Sequence, residues 1–319
     1  MKFQLIFKLT FAIMKPSILV IYYSQSGQLR QIIDQILQPI HAHCVIDFAE
    51  IKPEKPFPFP WTANVFFDCM PESVQQIPEN ILPLQLEQKN YDLIILGYQP
   101  WFLSPSIPVN SFLQSAQASF LKGKNVLTVI GSRNMWLNAQ EKVKEKLIEQ
   151  QANLIGNIVF FDRNPNLTSV LTIIRWTFKG QKEATRWMPE AGVQKQDIAA
   201  ASRFGPAILS ALQNESSGQL QQVLLSLQAV ELRPGLVILE KRGITNFRKF
   251  SKFILEKGKR GDESRKPRVQ LFQRLLFVGV FVLSPISNFT AGLITLLKKK
   301  SLMNEVEYFK NIRYRKNAI

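Results

Sequence analysis

The first half of the chain alternates continuous apolar runs with stretches in which apolar residues recur at helical spacing. The continuous runs are rich in β-branched residues, which is typical of parallel strands buried on both faces. They lie at residues 17–23, 44–48, 91–97, 125–130 and 154–161. The stretches of helical spacing lie at residues 29–37, 109–121 and 139–151. This alternation predicts an α/β fold with a doubly wound, five-stranded parallel sheet.

A proline-rich segment at residues 52–83 interrupts the alternation. It contains seven prolines together with five phenylalanine or tryptophan residues. Prolines at this density argue against a regular helix, and disordered segments lack so many aromatic residues. We therefore expect an ordered insert that contains no regular helix and packs its rings on the sheet.

The pattern changes after Asp162. Helical spacing recurs at 169–178, 206–212, 220–227 and 244–257, and a short strand is predicted at 236–239. The charge changes at the same point, because residues 1–162 carry 13 basic and 13 acidic side chains and the remainder carries 27 and 11. We therefore expect a sheet domain at 15–162 and a basic, mostly helical C-terminal region at 163–319.

The C-terminal region contains 23 consecutive residues without a charge, from Leu275 to Leu297. The run is long enough to span about 30 Å of hydrocarbon, but polar residues dilute it and both of its flanks are basic. We expect it to dip into one leaflet and return, kinked at Pro285. A full span and a buried core helix are the alternatives. Attraction to anionic lipid would come from the nearby basic residues Arg242, Arg248, Lys249, Lys252, Lys257, Lys259, Arg260 and Lys298–Lys300.

The remaining composition bears on location and partners. Cys44 and Cys69 form no CxxC motif, so we predict a reducing compartment and no metal site. No nucleic-acid motif accompanies the basic charge, so no nucleic-acid partner is predicted. Residues 1–13 are mostly apolar but interrupted by Lys8, and we expect translation to start at Met14, with a short membrane-touching leader as the alternative. We expect a cytoplasmic protein, peripheral on or partly inserted in the inner membrane.

The loop after the first strand has the composition of a phosphate cradle. Backbone amides at a helix N-terminus attract phosphate, small hydroxyl residues add donors, and glycine lets the backbone approach closely. Neither a GxGxxG nor a GxxxxGK[ST] motif is present. An ordinary capped turn between strand and helix is the alternative. The loop consists of Ser24, Gln25, Ser26, Gly27 and Gln28.

Three loops resemble those of the flavodoxin superfamily. Residues 22–28 are similar to its phosphate signature, although Leu29 replaces the last hydroxyl residue. Residues 91–109 are similar to the third strand and following loop of flavodoxin-like quinone and FMN reductases, and 131–136 to the other flavin-edge loop. The resemblance implies a flavodoxin-like fold over about 15–162 and an FMN cofactor. The residues it implies at the flavin, besides the phosphate loop, are Tyr98, Gln99, Pro100, Trp101, Phe102, Gly131, Ser132, Arg133 and Asn134.

The whole chain also resembles the flavodoxin-like proteins of bacterial dialkylresorcinol pigment biosynthesis. The sheet domain, the aromatic insert and the basic, partly apolar C-terminal half carry this resemblance. It implies an aromatase that oxidises a lipid-like cyclohexanedione to a resorcinol, with Tyr98, His43 or water as the base. A non-redox scaffold that docks a ketosynthase or an acyl carrier protein at the membrane is the alternative.

Overall fold

The computed structural model describes residues 15–88, 90–214 and 216–319. The expectations for residues 1–13 and for a start at Met14 lie outside the described residues. Seven strands are present in the described part. They are β1 (Ser17–Tyr22), β2 (Val45–Glu50), β3 (Leu93–Tyr98), β4 (Pro100–Trp101), β5 (Ser104–Pro105), β6 (Asn125–Ser132) and β7 (Asn153–Phe161).

The α-helices of the described part surround these strands. They are α1 (Gln28–Leu37), α2 (Ala63–Asp68), α3 (Met70–Gln75), α4 (Ile107–Gln114), α5 (Leu137–Glu149), α6 (Asn166–Lys179), α7 (Lys195–Ala199), α8 (Gly205–Gln213), α9 (Leu220–Ser226), α10 (Pro234–Leu255), α11 (Lys266–Phe281), α12 (Ser284–Leu297) and α13 (Lys299–Lys310).

Five of the strands form one parallel sheet in the order β2-β1-β3-β6-β7. Counted along the chain, this is the order 2-1-3-4-5 of flavodoxin-like doubly wound sheets. Ile18, Leu19, Val20 and Ile21 of β1 are completely buried, as a central strand covered on both faces requires. The predicted fold class is confirmed, and β4 and β5 form a separate two-residue hairpin inside the predicted loop after β3.

The C-terminal region shares the core of the sheet. Phe204 and Leu224 are fully buried in the same hydrophobic cluster as the residues of β1 and β3. The outer edge of β7 is also covered, because the Val159 amide donates to Ala229 O (2.8 Å) and the Asn157 amide to the Gln221 side chain (2.8 Å). These bonds satisfy groups that a bare edge strand would expose to other chains. The change of composition after Asp162 is therefore not a break in the core.

The insert at 52–83 contains the short helices α2 and α3, so the expectation of no regular helix there was wrong. Thr62 begins α2 as its N-cap, since its Oγ1 accepts from the Val65 amide at 3.4 Å. Pro71 stands in the first turn of α3, where a helix leaves the missing amide unused. The prolines set where these helices begin without preventing them.

Two further expectations for the C-terminal region need correction. Residues 236–239 form part of α10 and not a strand, since their apolar side chains continue the helical spacing of that helix. The run 275–297 is divided between α11 and α12, and Pro285 lies in the first turn of α12. No helix among the described residues is long and apolar enough to cross a membrane.

Two of the basic residues assigned to lipid attraction are engaged inside the protein. Arg248 donates to Asn138 Oδ1 at 2.9 Å, and Arg260 holds both carboxylate oxygens of Glu79 at 2.6 Å. Lys249 and Lys252 on α10 are exposed. The spacing of basic residues alone could not show that Arg248 and Arg260 bind protein groups, because their partners come from α5 and from the insert.

Candidate functional site

The three loops predicted to bind a flavin meet at the carboxyl edge of the sheet. The Tyr23 amide donates to Gly97 O at 3.2 Å, which joins the end of β1 to the end of β3. The side chain of Leu29 lies against Gly131, so that a Cβ there would stand 3.5 Å from it. These contacts bring the loops after β1, β3 and β6 together. They lie where β1 and β3 adjoin and the strand order reverses, which is the usual ligand position in such sheets.

The phosphate loop, Ser24–Gln28, presents unused donors at this edge. Ser24 Oγ is buried and has no hydrogen-bond partner among the described residues. Gly27 has a φ of 79°, a left-handed conformation that costs other residues energy, and a Cβ there would meet no atom within 4 Å. Gly27 immediately precedes α1, whose first-turn amides have no partners within the helix. The geometry is that of an anion cradle with open space before it.

The two glutamines of the phosphate loop bind protein groups. Gln25 Nε2 donates to Phe57 O (3.2 Å) and Pro58 O (2.9 Å) of the insert. Gln28 exchanges two hydrogen bonds of 3.0 Å with the backbone of Val193. The Gln25 side chain therefore connects the phosphate loop to the insert, and the Gln28 side chain connects it to the C-terminal region. The sequence predicts both residues at the cofactor, and in the structure the side-chain amides of both bind protein groups.

The loop after β6 carries a half-buried cation. Arg133 Nη1 donates to Asn166 Oδ1 at 2.8 Å, and burial lowers the pKa of its guanidinium to about 10. No carboxylate among the described residues forms an ion pair with it. Asn134 donates to the same oxygen, and its own Oδ1 is buried with no partner in residues 15–88, 90–214 and 216–319. This loop therefore holds a partly desolvated positive charge at the edge of the sheet, beside Ser132 and Gly131.

The loop after β3 folds into the β4–β5 hairpin, whose turn is formed by Phe102 and Leu103. Both have positive φ, 48° and 63°, which is uncommon for bulky residues and favours glycine or asparagine. Their side chains explain why the strain is tolerated. Phe102 packs against Phe247 and Phe272 of the C-terminal helices, and Leu103 lies 3.0 Å from where a Cβ on Gly243 would be. Strained backbone of this kind concentrates at functional sites.

An aromatic cluster encloses the hairpin. Trp101 is only 9% exposed, and its ring meets those of Tyr23, Phe57 and Trp61 edge-on at 5.0 to 5.8 Å between centroids. Edge-to-face packing of this kind stabilises each pair beyond its buried area. The members of this aromatic cluster are Phe57, Trp61, Phe66, Phe67, Trp101 and Phe102. Trp101 and Phe102, which the resemblance places at the flavin, therefore pack against other rings of the protein.

Helix α6 crosses this edge of the sheet from one side to the other. Its first residue, Asn166, binds Arg133 and Asn134, and near its end Thr177 O accepts from the Trp61 amide at 2.8 Å. Gly192, beyond the helix, lies against Trp176 and Gln28. Sequence reasoning predicted this helix but gave no signal that it would lie over the loops.

Two of the proposed bases do not reach the loops. The Tyr98 side chain is completely buried, its hydroxyl donates to Gln140 Oε1 at 2.6 Å, and burial raises its pKa well above the ordinary value. His43 lies just before β2, hence at the opposite edge of the parallel sheet. Neither Tyr98 nor His43 is therefore placed to act as a base at these loops. The Gln99 carbonyl accepts from the Ser106 amide at 3.2 Å and closes the base of the hairpin, next to Pro100.

A buried carboxyl supports the hairpin from behind, and sequence reasoning missed it. Glu240 of α10 accepts from the Asn138 amide at 2.8 Å, and Asn138 in turn donates to Leu103 O at 2.8 Å. The second carboxyl oxygen of Glu240 is buried and has no partner in the part of the chain that the structure describes, and burial raises the pKa of the carboxyl to about 7. A lone glutamate in a basic amphipathic helix carries no sequence signal for such a position.

Comparison with known proteins returns flavodoxin-like folds. A flavoprotein in complex with FMN from Lactobacillus acidophilus NCFM is 20% identical over 45% of this chain and 93% of its own, with a TM-score of 0.36. A flavodoxin, WrbA-like protein from Agrobacterium tumefaciens is 11% identical over 62% and 98%, with a TM-score of 0.36. A flavone reductase is 12% identical over 64% and 65%, with a TM-score of 0.35. No family model matches the sequence, and no curated protein matches it.

Proposed function

We propose that this chain is an FMN-dependent oxidoreductase. The observation that carries the proposal is the phosphate loop, in which the buried Ser24 hydroxyl has no partner within the described part of the chain and lies beside left-handed Gly27 at the start of α1. An unpaired buried hydroxyl is costly unless a ligand completes it. The position between β1 and β3 is also where flavodoxin-like sheets bind FMN.

The residues fit the two ends of FMN unequally. At the phosphate end, Ser24, Gly27 and the first amides of α1 would hold the phosphate, and Arg133 adds a positive charge to the same edge. At the ring end, the aromatic cluster offers apolar, stackable surface around Trp101, but its rings contact one another. Binding of the ring system therefore requires part of the cluster to separate.

The substrate class we propose is an apolar cyclic ketone, such as a dialkyl cyclohexanedione that becomes a resorcinol. FMN, when bound, supplies a two-electron acceptor for the hydride. The dione loses a hydride and a proton, and enolisation of its two carbonyl groups then gives the aromatic diol. Because Tyr98 is buried and His43 lies at the other edge, water is the acceptor that we assign to the proton. The surrounding rings favour alkyl substituents over charged ones.

The test is the visible spectrum of the purified chain, followed by titration with FMN. We expect absorbance near 450 nm or, for protein purified without cofactor, saturable binding that quenches flavin fluorescence. Ser24→Ala should weaken FMN binding by about tenfold to a hundredfold, since a hydrogen bond to a charged group contributes about 1.5–3 kcal/mol. Ser210→Ala, on α8 and outside the three loops, should bind FMN as the unchanged chain does. Absence of any FMN binding contradicts the proposal.

The closed aromatic cluster favours one second candidate, a non-redox scaffold that has kept the fold. The rings of Trp101 and Trp61 already pack against each other. Leu29 also stands where the flavodoxin phosphate signature has a hydroxyl donor. Such a protein would dock a ketosynthase or an acidic acyl carrier protein through its basic C-terminal region. It would remain colourless with added FMN, and it would co-elute with the carrier protein at low ionic strength.

A further inference from the structure

Helices α11 and α12 direct apolar side chains outward. Six large residues are between 44% and 83% exposed, and we call them the apolar face: Val282, Ile286, Phe289, Leu293, Leu296 and Leu297. Five of them recur along α12 at spacings of three, four, three and one residues, which places them on one side of the helix. Ala291, on another side, is buried. The large apolar side chains of α12 thus face solvent, whereas those of an ordinary amphipathic helix face the core.

The apolar face is continuous with exposed residues of α11. Leu275 and Val278 are 44% and 46% exposed, and two residues separate α11 from α12. Contiguous exposed apolar surface of this extent is rare on monomeric proteins and marks an interaction site. An isolated exposed leucine would carry no such meaning.

The charge around the apolar face has one sign. From Lys266 to Lys300 the chain contains no aspartate or glutamate. Arg274 lies before the apolar stretch and Lys298–Lys300 directly follow it, and in the described part of the chain none of these four residues forms an ion pair. The surface therefore complements an anionic partner that also accepts apolar side chains.

We propose that the apolar face inserts into one leaflet of an anionic lipid bilayer. An apolar stripe flanked by lysine is the arrangement of helices that lie in the membrane interface, where the stripe enters the acyl region and the basic residues meet headgroups. Helix α12 has 14 residues and is about 21 Å long, so it is shorter than the hydrocarbon core of about 30 Å. The insertion is therefore shallow. This inference does not rest on flavin binding.

A second copy of the chain fits the surface less well. A symmetric contact through the apolar face would bring the lysines of one copy against a surface that has no carboxylate between Lys266 and Lys300. Lipid headgroups supply the missing negative charge. The same argument applies to any partner whose facing surface lacks acidic groups.

The test is flotation of the full chain with vesicles. We expect it to float with vesicles of phosphatidylglycerol and phosphatidylethanolamine and to bind phosphatidylcholine vesicles at least tenfold less. The double variant Ile286→Gln with Phe289→Gln should lose at least nine-tenths of the binding. The matched control Val223→Gln changes an equally apolar, 45% exposed residue of α9 and should leave binding unchanged. Replacing Lys298, Lys299 and Lys300 by Gln should remove most of the preference for phosphatidylglycerol.

The variants change exposed side chains, and their folding is checked by circular dichroism. Failure of the unchanged chain to float with anionic vesicles overturns the proposal, as does flotation of the double variant at the unchanged level. Sedimentation as a dimer that the double variant converts to a monomer, without vesicle binding, assigns the apolar face to a second copy and also overturns it.

Discussion

The phosphate loop and the aromatic cluster lie at the same edge of the sheet but are formed in different ways. The phosphate loop is local, because Ser24, Gly27 and the start of α1 are consecutive in sequence and leave their donors open. The aromatic cluster consists of rings from the insert and from the β4–β5 hairpin, and these rings pack against one another. The first is prepared for a ligand, whereas the second must rearrange to admit one.

The two sites also meet the C-terminal region differently, because the aromatic cluster contacts it through rings of α11 and the phosphate loop through the Gln28 side chain. Phe67 contacts Phe272 and Phe277 of α11, and Phe277 stacks on Phe281 near the end of that helix. A row of aromatic side chains thus runs from the end of α11 to Trp101. Changes at the C-terminal helices should therefore disturb the cluster first, and changes in the phosphate loop should leave it intact.

The largest effect is expected from the buried ion pairs that fasten the insert to α11. Arg265 is completely buried and binds Asp68 at 2.6 Å and Glu72 at 2.7 Å. Arg265→Ala leaves Glu72 buried without a cation, which should lower the free energy of unfolding by about 3–5 kcal/mol. Urea denaturation measures the loss. The near-ultraviolet circular dichroism of the tryptophans should also weaken, because Phe66 of α2 packs against Trp61.

The neighbouring residue provides the control for this change. Lys266 forms an exposed ion pair with Glu263, so Lys266→Ala should alter the free energy of unfolding by less than about 0.5 kcal/mol. If the two variants were equally stable, the insert would not depend on Arg265. The aromatic cluster would then be held by packing alone.

A smaller effect should follow the ionisation of Glu240 behind the hairpin. Burial raises its pKa from 4.5 to about 7, so folding favours the protonated carboxyl. The stability that it contributes is fully present below pH 4.5 and is lost as pH rises to about 7. This shift corresponds to about 3 kcal/mol. In unfolding measurements between pH 4.5 and 8, Glu240→Gln should be less pH-dependent than the unchanged chain.

The exposed Glu263 gives the comparison for that measurement. Glu263→Gln should follow the unchanged chain over the same pH range, since its side chain is 80% exposed. Identical pH profiles for Glu240→Gln and the unchanged chain would show that folding does not shift the pKa of Glu240.

Local pattern was enough for the sheet and the phosphate loop but not for the aromatic cluster. Continuous apolar runs specify buried strands, and the small residues at 24–27 specify a tight turn before a helix. The positions of Phe102 and Gln28 depend on partners 145 and 165 residues away, Phe247 and Val193. Helical spacing also could not show which side of α12 faces solvent, because nearly every residue of that helix is apolar or small.

The smallest expected effect is that of an alanine at Gly27, and comparison with an alanine at Gly123 distinguishes backbone strain from loss of FMN binding. Gly27 and Gly123 have φ of 79° and 71°, and a Cβ would meet no atom within 4 Å at either position. An alanine at each should therefore cost about 1 kcal/mol of stability, from left-handed backbone strain alone. Gly123 lies in the turn before β6, at the opposite edge of the sheet from the phosphate loop. Gly27→Ala should therefore also weaken FMN binding in a fluorescence titration, and Gly123→Ala should not. Equal affinities for the two variants would remove Gly27 from the cradle, because stability loss alone would then account for both.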